Sequence, residues 1–411
     1  DAAELDDGGV DAGEDDLTEI ERLGRLVGLE GNPLDPFFAA LDEVEETGSG
    51  IVRVLHYGDS HTAADFLTST IRRKLQERFG DGGRGFVLAG KPWKSYRPLD
   101  ATTSADRSWD AERIRVRFDP AVAEGILGLG GLAVETTKAG AWTRVGTSRS
   151  GGLGRTVSSF DIFYERQPRG GSFIVRVDGE RRLRVPTRAG ARRSGFVRVD
   201  VEEGPHTLEI RTVGDGPVRL FGVAMETDGP GVVYDTLGLN GGFFFTPLRW
   251  DGQHIAEQVA RRDPELIVTM YGANEAGSRS LTPDGYADKV RRVMRRFLAG
   301  APNAACLMLG PTDRQGAQDA AHVAGRLEWI NEVQHEVADE LGCAFVDLRE
   351  MMGGEGAHAR WVAQGLAQPD GVHLTVPGYE MLGEAIADEI LAAYEDYLDA
   401  IESPLAAADE K

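Results

Sequence analysis

The hydrophobic periodicity changes twice along the 411-residue chain, and this change most constrains the fold. Apolar runs of strand length alternate with helical patterns over residues 17–104 and again over residues 232–400. That alternation predicts a parallel sheet covered by helices on both faces. Residues 105–231 instead carry short alternating runs between Gly, Pro and Asp turns, a pattern typical of an antiparallel β-sandwich. We therefore predict an α/β domain in two parts with a β-sandwich inserted between them.

The α/β part is predicted to contain five strands with helices between them. Strands are expected at residues 51–56, 232–237, 266–271, 305–309 and 344–348. Helices are expected at residues 17–29, 36–46, 63–79, 252–261, 285–298 and 320–341, with a last helix from near Pro377. Open α/β sheets bind ligands at the carboxyl ends of their strands, so polar residues just after these strands are candidates for a site.

The two ends of the chain lack a core-forming pattern. Residues 1–16 are mostly Asp, Glu, Gly and Ala, and they predict a disordered acidic leader. Residues 401–411 are expected to form a C-terminal tail. The intervening length is enough for two folded units.

The chain is strongly acidic, with a formal net charge of −22 at pH 7 and a pI near 4.8. Phosphate backbones are bound by clustered Lys and Arg, so this balance argues against a nucleic-acid partner. No run of about eighteen apolar residues occurs, and no integral membrane segment is expected. The oligomeric state stays open.

The two cysteines, Cys306 and Cys343, each lie in an apolar, strand-like run. Small buried thiols are the usual interpretation of such positions. Neighbouring strands of one parallel sheet could bring the two together, so their pairing stays open. The Cys and His spacing of a metal site is absent, and no metal or cofactor is expected.

Ser60 lies in the segment Tyr-Gly-Asp-Ser-His at residues 57–61, between a predicted strand and a predicted helix. In such a turn a hydroxyl stands clear of the sheet edge, near the unpaired N–H groups of a helix N-terminus. Those groups favour the negative charge that develops in acyl transfer. Ser60 is therefore a candidate nucleophile, although Gly-Asp-Ser alone equally fits a helix N-cap.

Asp370 and His373 place a carboxylate and an imidazole in one loop before the last predicted helix. Their separation lets Asp370 accept a hydrogen bond from one ring nitrogen of His373 while the other nitrogen takes a proton from Ser60. Alone, the pair is also typical of a surface loop. Together with Ser60 it predicts a catalytic triad.

Four short segments, taken in chain order, resemble the four blocks of the SGNH (GDSL-type) hydrolases. They are Gly-Asp-Ser at 58–60, Asn-Gly at 240–241, Gly-Ala-Asn at 272–274 and Asp-Gly-Val-His at 370–373. The resemblance covers about residues 45–100 and 232–400. It implies an SGNH-hydrolase-like parallel sheet flanked by helices.

The resemblance also implies roles for individual residues. Ser60 is the implied nucleophile, with Asp370 and His373 completing the triad. The backbone N–H groups of Ser60 and Gly241 and the side-chain amide of Asn274 are the implied oxyanion hole.

Two residues depart from the family pattern. His61 follows Ser60 where the family name has Leu, and Glu275 follows Asn274 where Asp is usual. Neither change removes a catalytic atom. Together with Asn240, His61 and Glu275 are candidates for lining the substrate pocket.

A narrower resemblance lies in residues 56–65 and 75–86. These segments are similar to bacterial periplasmic SGNH esterases that remove O-acetyl groups from peptidoglycan and carry a β-sandwich carbohydrate-binding module between the first two blocks. This implies an O-acetylesterase that forms an acetyl-enzyme, acts on an acetylated polysaccharide and is periplasmic or secreted. Acetyl transfer to a sugar hydroxyl, or a less specific lipase or esterase activity, stays open, as do the natural polymer and the acyl-chain preference.

The inserted segment is expected to form a jelly-roll-like, carbohydrate-binding-module-like sandwich, packed separately with its two chain connections close together. Four aromatic residues are candidates for stacking on sugar rings: Trp109, Trp142, Phe160 and Tyr164. Most aromatic side chains in such a fold belong to the core, so the ligand of this unit stays open.

Overall fold

The computed structural model describes residues 32–94, 96–113, 125–278, 280–315 and 320–402. The predicted leader, the predicted helix at 17–29 and residues 403–411 of the predicted tail lie outside the described residues. Ile401 and Glu402 are the last residues of the final helix.

A five-stranded parallel sheet forms the centre of the α/β part, in the order β13-β1-β14-β15-β16. Its strands are β1 (Ile51–Gly58), β13 (Gly231–Gly238), β14 (Leu266–Met270), β15 (Ala305–Leu309) and β16 (Ala344–Val346). Every residue of β14 and β15 is buried, as expected for strands covered on both faces. The predicted fold class is confirmed.

Nine α-helices accompany this sheet in the described part of the chain. They are α1 (Asp35–Thr47), α2 (Ser60–Ala63), α3 (Phe66–Phe79), α4 (Gly252–Arg262), α5 (Pro283–Leu298), α6 (Ala320–Leu341), α7 (Leu348–Met351), α8 (Ala357–Ala363) and α9 (Val376–Glu402). Short 3-10 helices occupy Thr246–Arg249 and Glu275–Gly277. Within the described ranges, no helix has the length and apolar character needed to span a bilayer.

The helix predicted at residues 63–79 begins only at Phe66, as α3, and Ala63 ends the separate short helix α2. Asp65 separates them in a left-handed conformation, with φ of 60°. Its buried carboxylate receives hydrogen bonds from Arg84, at 2.8 Å, and from the backbone N–H of Leu99, at 2.7 Å. These tertiary partners hold a backbone conformation that periodicity does not predict.

Two antiparallel sheets form the β part. One has the order β10-β7-β12-β5-β4, with β2 also paired to β12, and the other has the order β3-β6-β11-β8-β9. Their strands are β2 (Gly85–Leu88), β3 (Ala101–Ala105), β4 (Asp110–Arg113), β5 (Leu132–Thr136), β6 (Trp142–Thr147), β7 (Val157–Arg166), β8 (Ser172–Val177), β9 (Glu180–Pro186), β10 (Arg193–Gly204), β11 (Thr207–Thr212) and β12 (Val218–Glu226). Strands β2 and β3 thus come from the chain segment before residue 105.

The β part and the α/β part share one hydrophobic core. Phe163 of β7 and Val223 of β12 belong to the same buried cluster as Tyr57 of β1. A buried ion-pair network also crosses the junction, because the Arg262 guanidinium lies 2.6 Å from Glu226 of β12 and 2.7 Å from Asp235 of β13. The expectation of a separately packed sandwich is therefore wrong.

Cys306 and Cys343 form a disulfide with a Cα–Cα distance of 4.7 Å. The interpretation as two buried thiols is thus corrected. Leu307 of β15 pairs with Ala344 of β16, so the residues just before them are neighbours across the two strands. This proximity depends on strand order, which the two separate apolar runs do not reveal.

Candidate active site

The candidate site lies at the carboxyl edge of the parallel sheet. Gly58 at the end of β1 is paired with Gly238 on one side and Met270 on the other, so three strand ends meet. The loops that follow carry Ser60, Gly241 and Asn274. The loop before α9 adds Asp370 and His373 from the far end of the chain. All four predicted segments are therefore brought to one edge.

The local sequence fixes the position of Ser60. A Cβ atom at Gly58 would stand 2.0 Å from Thr62 Oγ1 and 2.8 Å from Met270 O, so only glycine allows this close turn. Asp59 caps α2 by accepting a hydrogen bond of 2.9 Å from the His61 N–H. Ser60 is the first residue of α2 and remains partly exposed.

Three side chains form a continuous hydrogen-bonded chain. Ser60 Oγ lies 2.9 Å from His373 Nε2, and His373 Nδ1 lies 2.7 Å from Asp370 Oδ2. The other Asp370 oxygen accepts the backbone N–H groups of Val372 and His373, each at 2.9 Å. Although burial opposes ionisation, these hydrogen bonds outweigh it and lower the pKa of Asp370 to about 2. The carboxylate can therefore orient the imidazole and stabilise its protonated form.

A contact between loops holds the Asp370–His373 turn in place. Gly371 adopts φ of 80°, and its carbonyl oxygen accepts a 2.8 Å hydrogen bond from the Gln315 N–H. Gln315 lies in the loop after β15, at the same sheet edge. The triad histidine is thus anchored to the sheet through backbone atoms.

Two backbone donors beside Ser60 are free to bind an oxyanion. The N–H groups of Ser60 and Gly241 donate to no acceptor within the described ranges. Gly241 has φ of 72°, and a Cβ atom built there would meet nothing within 4 Å, so there is open space beside this residue. Unpaired N–H groups at this position are suited to a tetrahedral intermediate.

The side-chain amide of Asn274 is already engaged. Its Nδ2 donates to Gly242 O at 2.8 Å and to Asp59 Oδ2 at 3.3 Å. The second contact is long for an N–H···O bond and is the weaker of the two. The N–H group in that weaker contact is the one that could instead donate a hydrogen bond to a substrate oxygen.

Of the three pocket candidates, only Asn240 is exposed. His61 is 1% exposed, with its Nδ1 3.1 Å from Tyr379 Oη and its Nε2 3.4 Å from Thr312 Oγ1. Burial lowers the pKa of His61 to about 3, so the ring is neutral. Its centroid lies 5.6 Å from that of His373. His61 therefore supports the catalytic imidazole instead of lining an open pocket.

Glu275 is also buried, contrary to its prediction as a pocket residue. Its side chain is 0% exposed, and Oε1 accepts a hydrogen bond from the Phe244 N–H. Oε2 has no partner within the described residues. Burial, reinforced by the nearby Asp59, raises the pKa of Glu275 to about 8. Burial likewise raises the pKa of Asp59 to about 7. Two buried carboxyl groups therefore lie behind the site.

We expect Glu275→Gln to reduce the pH dependence of folding stability. Between about pH 4.5 and 8 the folded protein keeps a proton on Glu275 that the unfolded chain has released, so wild-type stability falls as pH rises through this window. The amide cannot ionise, so the free energy of unfolding of the variant should not fall in this window. Its difference from the wild-type value should therefore grow with pH, to about a few kcal/mol for a pKa shift of this size. Urea unfolding near pH 5 and near pH 8 measures it.

The exposed Glu380 supplies a matched control, because Glu380→Gln should leave the pH dependence unchanged. Asp59 retains its own contribution below about pH 7 in all variants. Parallel stability curves for Glu275→Gln and wild type would show that Glu275 is already ionised in the folded protein.

Arg314 belongs to the segment 311–314, which the sequence predicts to form a rim of the pocket. Its Nη1 donates to the carbonyl of Ala273, next to Asn274. The charges of Asp59 and Asp370 both act on this guanidinium. The only signal in the sequence is its position shortly after the strand at residues 305–309, at the ligand-binding edge.

The comparisons with known proteins agree with this architecture. The family model described as GDSL-like lipase/acylhydrolase matches residues 209–381, which include Gly241, Asn274, Asp370 and His373. Ser60 lies before the matched range, and the fold brings it within hydrogen-bonding distance of His373. No match was found among curated proteins.

Several solved structures are similar to this chain. One, described as a peptidoglycan O-acetylesterase in action, shares 23% identity over 88% of this chain and 96% of its own, with a TM-score of 0.73. A lipase/acylhydrolase from Enterococcus faecalis shares 20% identity over 39% of this chain and 76% of its own, with a TM-score of 0.32. A family two carbohydrate esterase from Clostridium thermocellum shares 11% identity over 74% of this chain and 98% of its own, with a TM-score of 0.30.

The fold and the site define a serine hydrolase built on an open α/β sheet. The match of residues 209–381 to the GDSL-like lipase/acylhydrolase model and the similar fold of the O-acetylesterase structure support an SGNH-type serine hydrolase.

Proposed function

We propose that this protein removes O-acetyl groups from a cell-wall carbohydrate, with peptidoglycan as the favoured polymer. The observation that carries the proposal is the chain of hydrogen bonds from Ser60 through His373 to Asp370, beside two backbone N–H groups that have no acceptor in the described part of the chain. This arrangement activates a hydroxyl and stabilises an oxyanion without a metal ion. Ester cleavage through an acyl-enzyme is the chemistry that it suits.

In the first half of the reaction, Ser60 Oγ attacks the acetyl carbonyl carbon while its proton passes to His373 Nε2. Asp370 stabilises the resulting imidazolium through its hydrogen bond to Nδ1. The N–H groups of Ser60 and Gly241, with the amide of Asn274, receive the negative oxygen. Collapse of the tetrahedral intermediate expels the sugar oxygen, which takes the proton from His373.

In the second half, His373 removes a proton from water, which attacks the acetyl-enzyme. The same donors stabilise the second tetrahedral intermediate. Acetate leaves, and the proton on His373 returns to Ser60 Oγ. The enzyme is regenerated, and one ester bond has been exchanged for a carboxylic acid and a sugar hydroxyl.

Two observations support a polymer of the cell wall as the substrate. The similarity to the peptidoglycan O-acetylesterase structure extends over 88% of this chain, so it includes much of the β part as well as the sheet. The disulfide between Cys306 and Cys343 suits an oxidising compartment. We therefore also propose a periplasmic or secreted location.

The structure narrows the choice of sugar-stacking residues in the β part. Trp109, Phe160 and Tyr164 are buried in the shared core. Trp142 is partly exposed, with the Arg144 guanidinium 4.4 Å from its ring centroid. Carbohydrate binding by this part of the chain stays a prediction, with Trp142 as its accessible candidate.

We expect the wild-type protein to hydrolyse p-nitrophenyl acetate and to release acetate from O-acetylated peptidoglycan with a higher kcat/KM than from acetylated xylan. The shared acetyl group should react by the same chemistry, and the difference should arise from contacts to the rest of the polymer. Acetate release measured for both polymers, with Ser60→Ala as control, decides the question.

Equal specificity for the two polymers would favour a less specific esterase and contradict the peptidoglycan assignment. Acetyl transfer to an added oligosaccharide in preference to water would instead identify an acetyltransferase on the same centre. Both rivals need the same acetyl-enzyme, so acceptor competition separates them from hydrolysis.

A further inference from the structure

A small cavity lies beside the catalytic edge. It has a volume of about 20 Å³, and its lining includes Ala63, Arg84, Trp93, Tyr96, Arg97 and Gly238. Ala63 ends the helix that begins with Ser60, roughly 4.5 Å away along its axis. Gly238 ends β13, three residues before Gly241. The cavity is therefore lined by the far end of the helix that begins with Ser60 and by the strand end that precedes the loop of Gly241.

Arg84 forms a buried wall of this cavity with one donor unused. The residue is 3% exposed. Its Nε donates to Leu99 O at 2.6 Å and its Nη2 to Asp65 Oδ2 at 2.8 Å. Its Nη1 is buried and has no partner within the described residues. Burying a guanidinium N–H without an acceptor costs free energy unless a ligand or water accepts its hydrogen bond.

The surrounding ion-pair cluster carries a surplus of positive charge. Asp65 and Asp100 provide two carboxylates, while Arg72, Arg73 and Arg84 provide three guanidinium groups. Burial opposes ionisation of Asp65, but Arg84 and Arg72 outweigh it and lower its pKa to about 2, so this carboxylate is ionised.

The exposed Arg97 adds another positive charge at the cavity. In a chain with a net charge of −22, this is a local site of the opposite sign. Such a site favours an anionic group.

Size and chemistry limit the anion. A volume of about 20 Å³ holds roughly one or two water-sized groups, which suits a carboxylate and excludes a sugar ring. Trp93 and Tyr96 line the same cavity with ring centroids 5.0 Å apart. Both are partly exposed and can contact the apolar face of a sugar.

We propose that this cavity is a subsite for a carboxylate carried by the acetylated glycan, held by Arg84 and Arg97 while the attached sugar contacts Trp93. The inference rests on the proposed function, because it assigns a substrate group beside Ser60. It makes the enzyme selective for acidic polysaccharides. A charge-assisted pair with a buried guanidinium gives such a group both affinity and orientation.

The test compares O-acetylated peptidoglycan with the same polymer after its carboxylates have been converted to neutral methylamides. For the wild-type protein we expect KM for acetate release to be roughly tenfold higher on the neutral polymer, as for loss of one charge-assisted contact. Arg84→Lys keeps a positive charge beside Asp65 but loses the forked donor, and the ratio of the two KM values should fall towards one.

Arg97→Gln should reduce the ratio, and Arg97→Lys should restore part of it. Arg198→Gln, an exposed arginine outside the cavity, should keep the wild-type ratio.

Equal KM values on the two polymers for the wild-type protein would overturn the subsite, whether or not Arg84→Lys folds. If neither polymer is deacetylated while p-nitrophenyl acetate is turned over, the proposed function fails but the subsite is still tested by binding. Calorimetry with the Ser60→Ala protein should then show tighter binding of carboxylated than of methylamidated glycan fragments, and equal affinities would reject it.

Two sources of carboxylate are distinguished by removing the stem peptides. If peptide-free glycan keeps the difference between carboxylated and neutral forms, the subsite holds a carboxylate of the sugar. If the difference disappears with the peptides, the subsite holds a peptide carboxylate. Either result supports the site, because both require the same anionic contact.

Discussion

Ser60→Ala and His373→Ala are each expected to lower ester turnover by several orders of magnitude. Ser60 Oγ and His373 Nε2 lie 2.9 Å apart, so removing either side chain abolishes proton transfer from the nucleophile. Members of a triad act as a unit, and the double variant should lose little more than either single one. Turnover of p-nitrophenyl acetate, with folding checked by circular dichroism, measures the effect.

His335→Ala is the matched control for loss of an imidazole. His335 is exposed on α6, away from the triad, and its replacement should leave turnover close to wild type. A folded Ser60→Ala protein with near-wild-type acetate release would remove Ser60 as the nucleophile. Losses that multiplied in the double variant would show that the two residues act independently.

Asn274→Ala is expected to reduce kcat by roughly 10²–10³-fold, with a much smaller effect on substrate affinity. An oxyanion donor acts when charge develops on the carbonyl oxygen, so its loss weakens the transition state more than the bound ester. The 3.3 Å contact from Asn274 Nδ2 to Asp59 Oδ2 indicates which donor a substrate oxygen would recruit. Steady-state kinetics on one soluble ester measures kcat and KM together.

A binding experiment separates this role from a structural one. The affinity for the ester substrate is compared between Ser60→Ala, which cannot form the acyl-enzyme, and the Ser60→Ala, Asn274→Ala double variant. Similar affinities agree with transition-state stabilisation. A comparable loss of affinity would indicate that Asn274 holds substrate, or that the 2.8 Å bond to Gly242 O maintains the loop.

The parallel sheet and the candidate triad could be predicted because their signals are local. Residues 305–309 are all apolar, residues 266–270 are apolar except for Thr269, and the structure has strands at both positions. Ser60 follows a strand directly, so a parallel sheet must carry it to the ligand-binding edge. Asp370 and His373 are three residues apart, which allows their hydrogen bond within one loop.

Only the tertiary structure determined which residues near the site are buried and which cysteines pair. His61 and Glu275 neighbour catalytic residues in the chain, yet the turns that expose Ser60 and Asn274 direct both of them inward. Strand order brought Cys306 beside Cys343. No local pattern contains this information, because each outcome depends on which distant segment covers the residue.

Local sequence patterns predict least about the junction between the β part and the α/β part. Strand β2 has only four residues, too few to show a period, and its membership in a sheet follows from pairing with β12 more than a hundred residues later. The same junction encloses Arg84 with Asp65 and leaves its Nη1 without an acceptor among the residues that the structure describes. Hydrophobic periodicity specifies which face of an element is buried. The partners on that face, and the charge left unbalanced among them, arise only when the distant elements pack together.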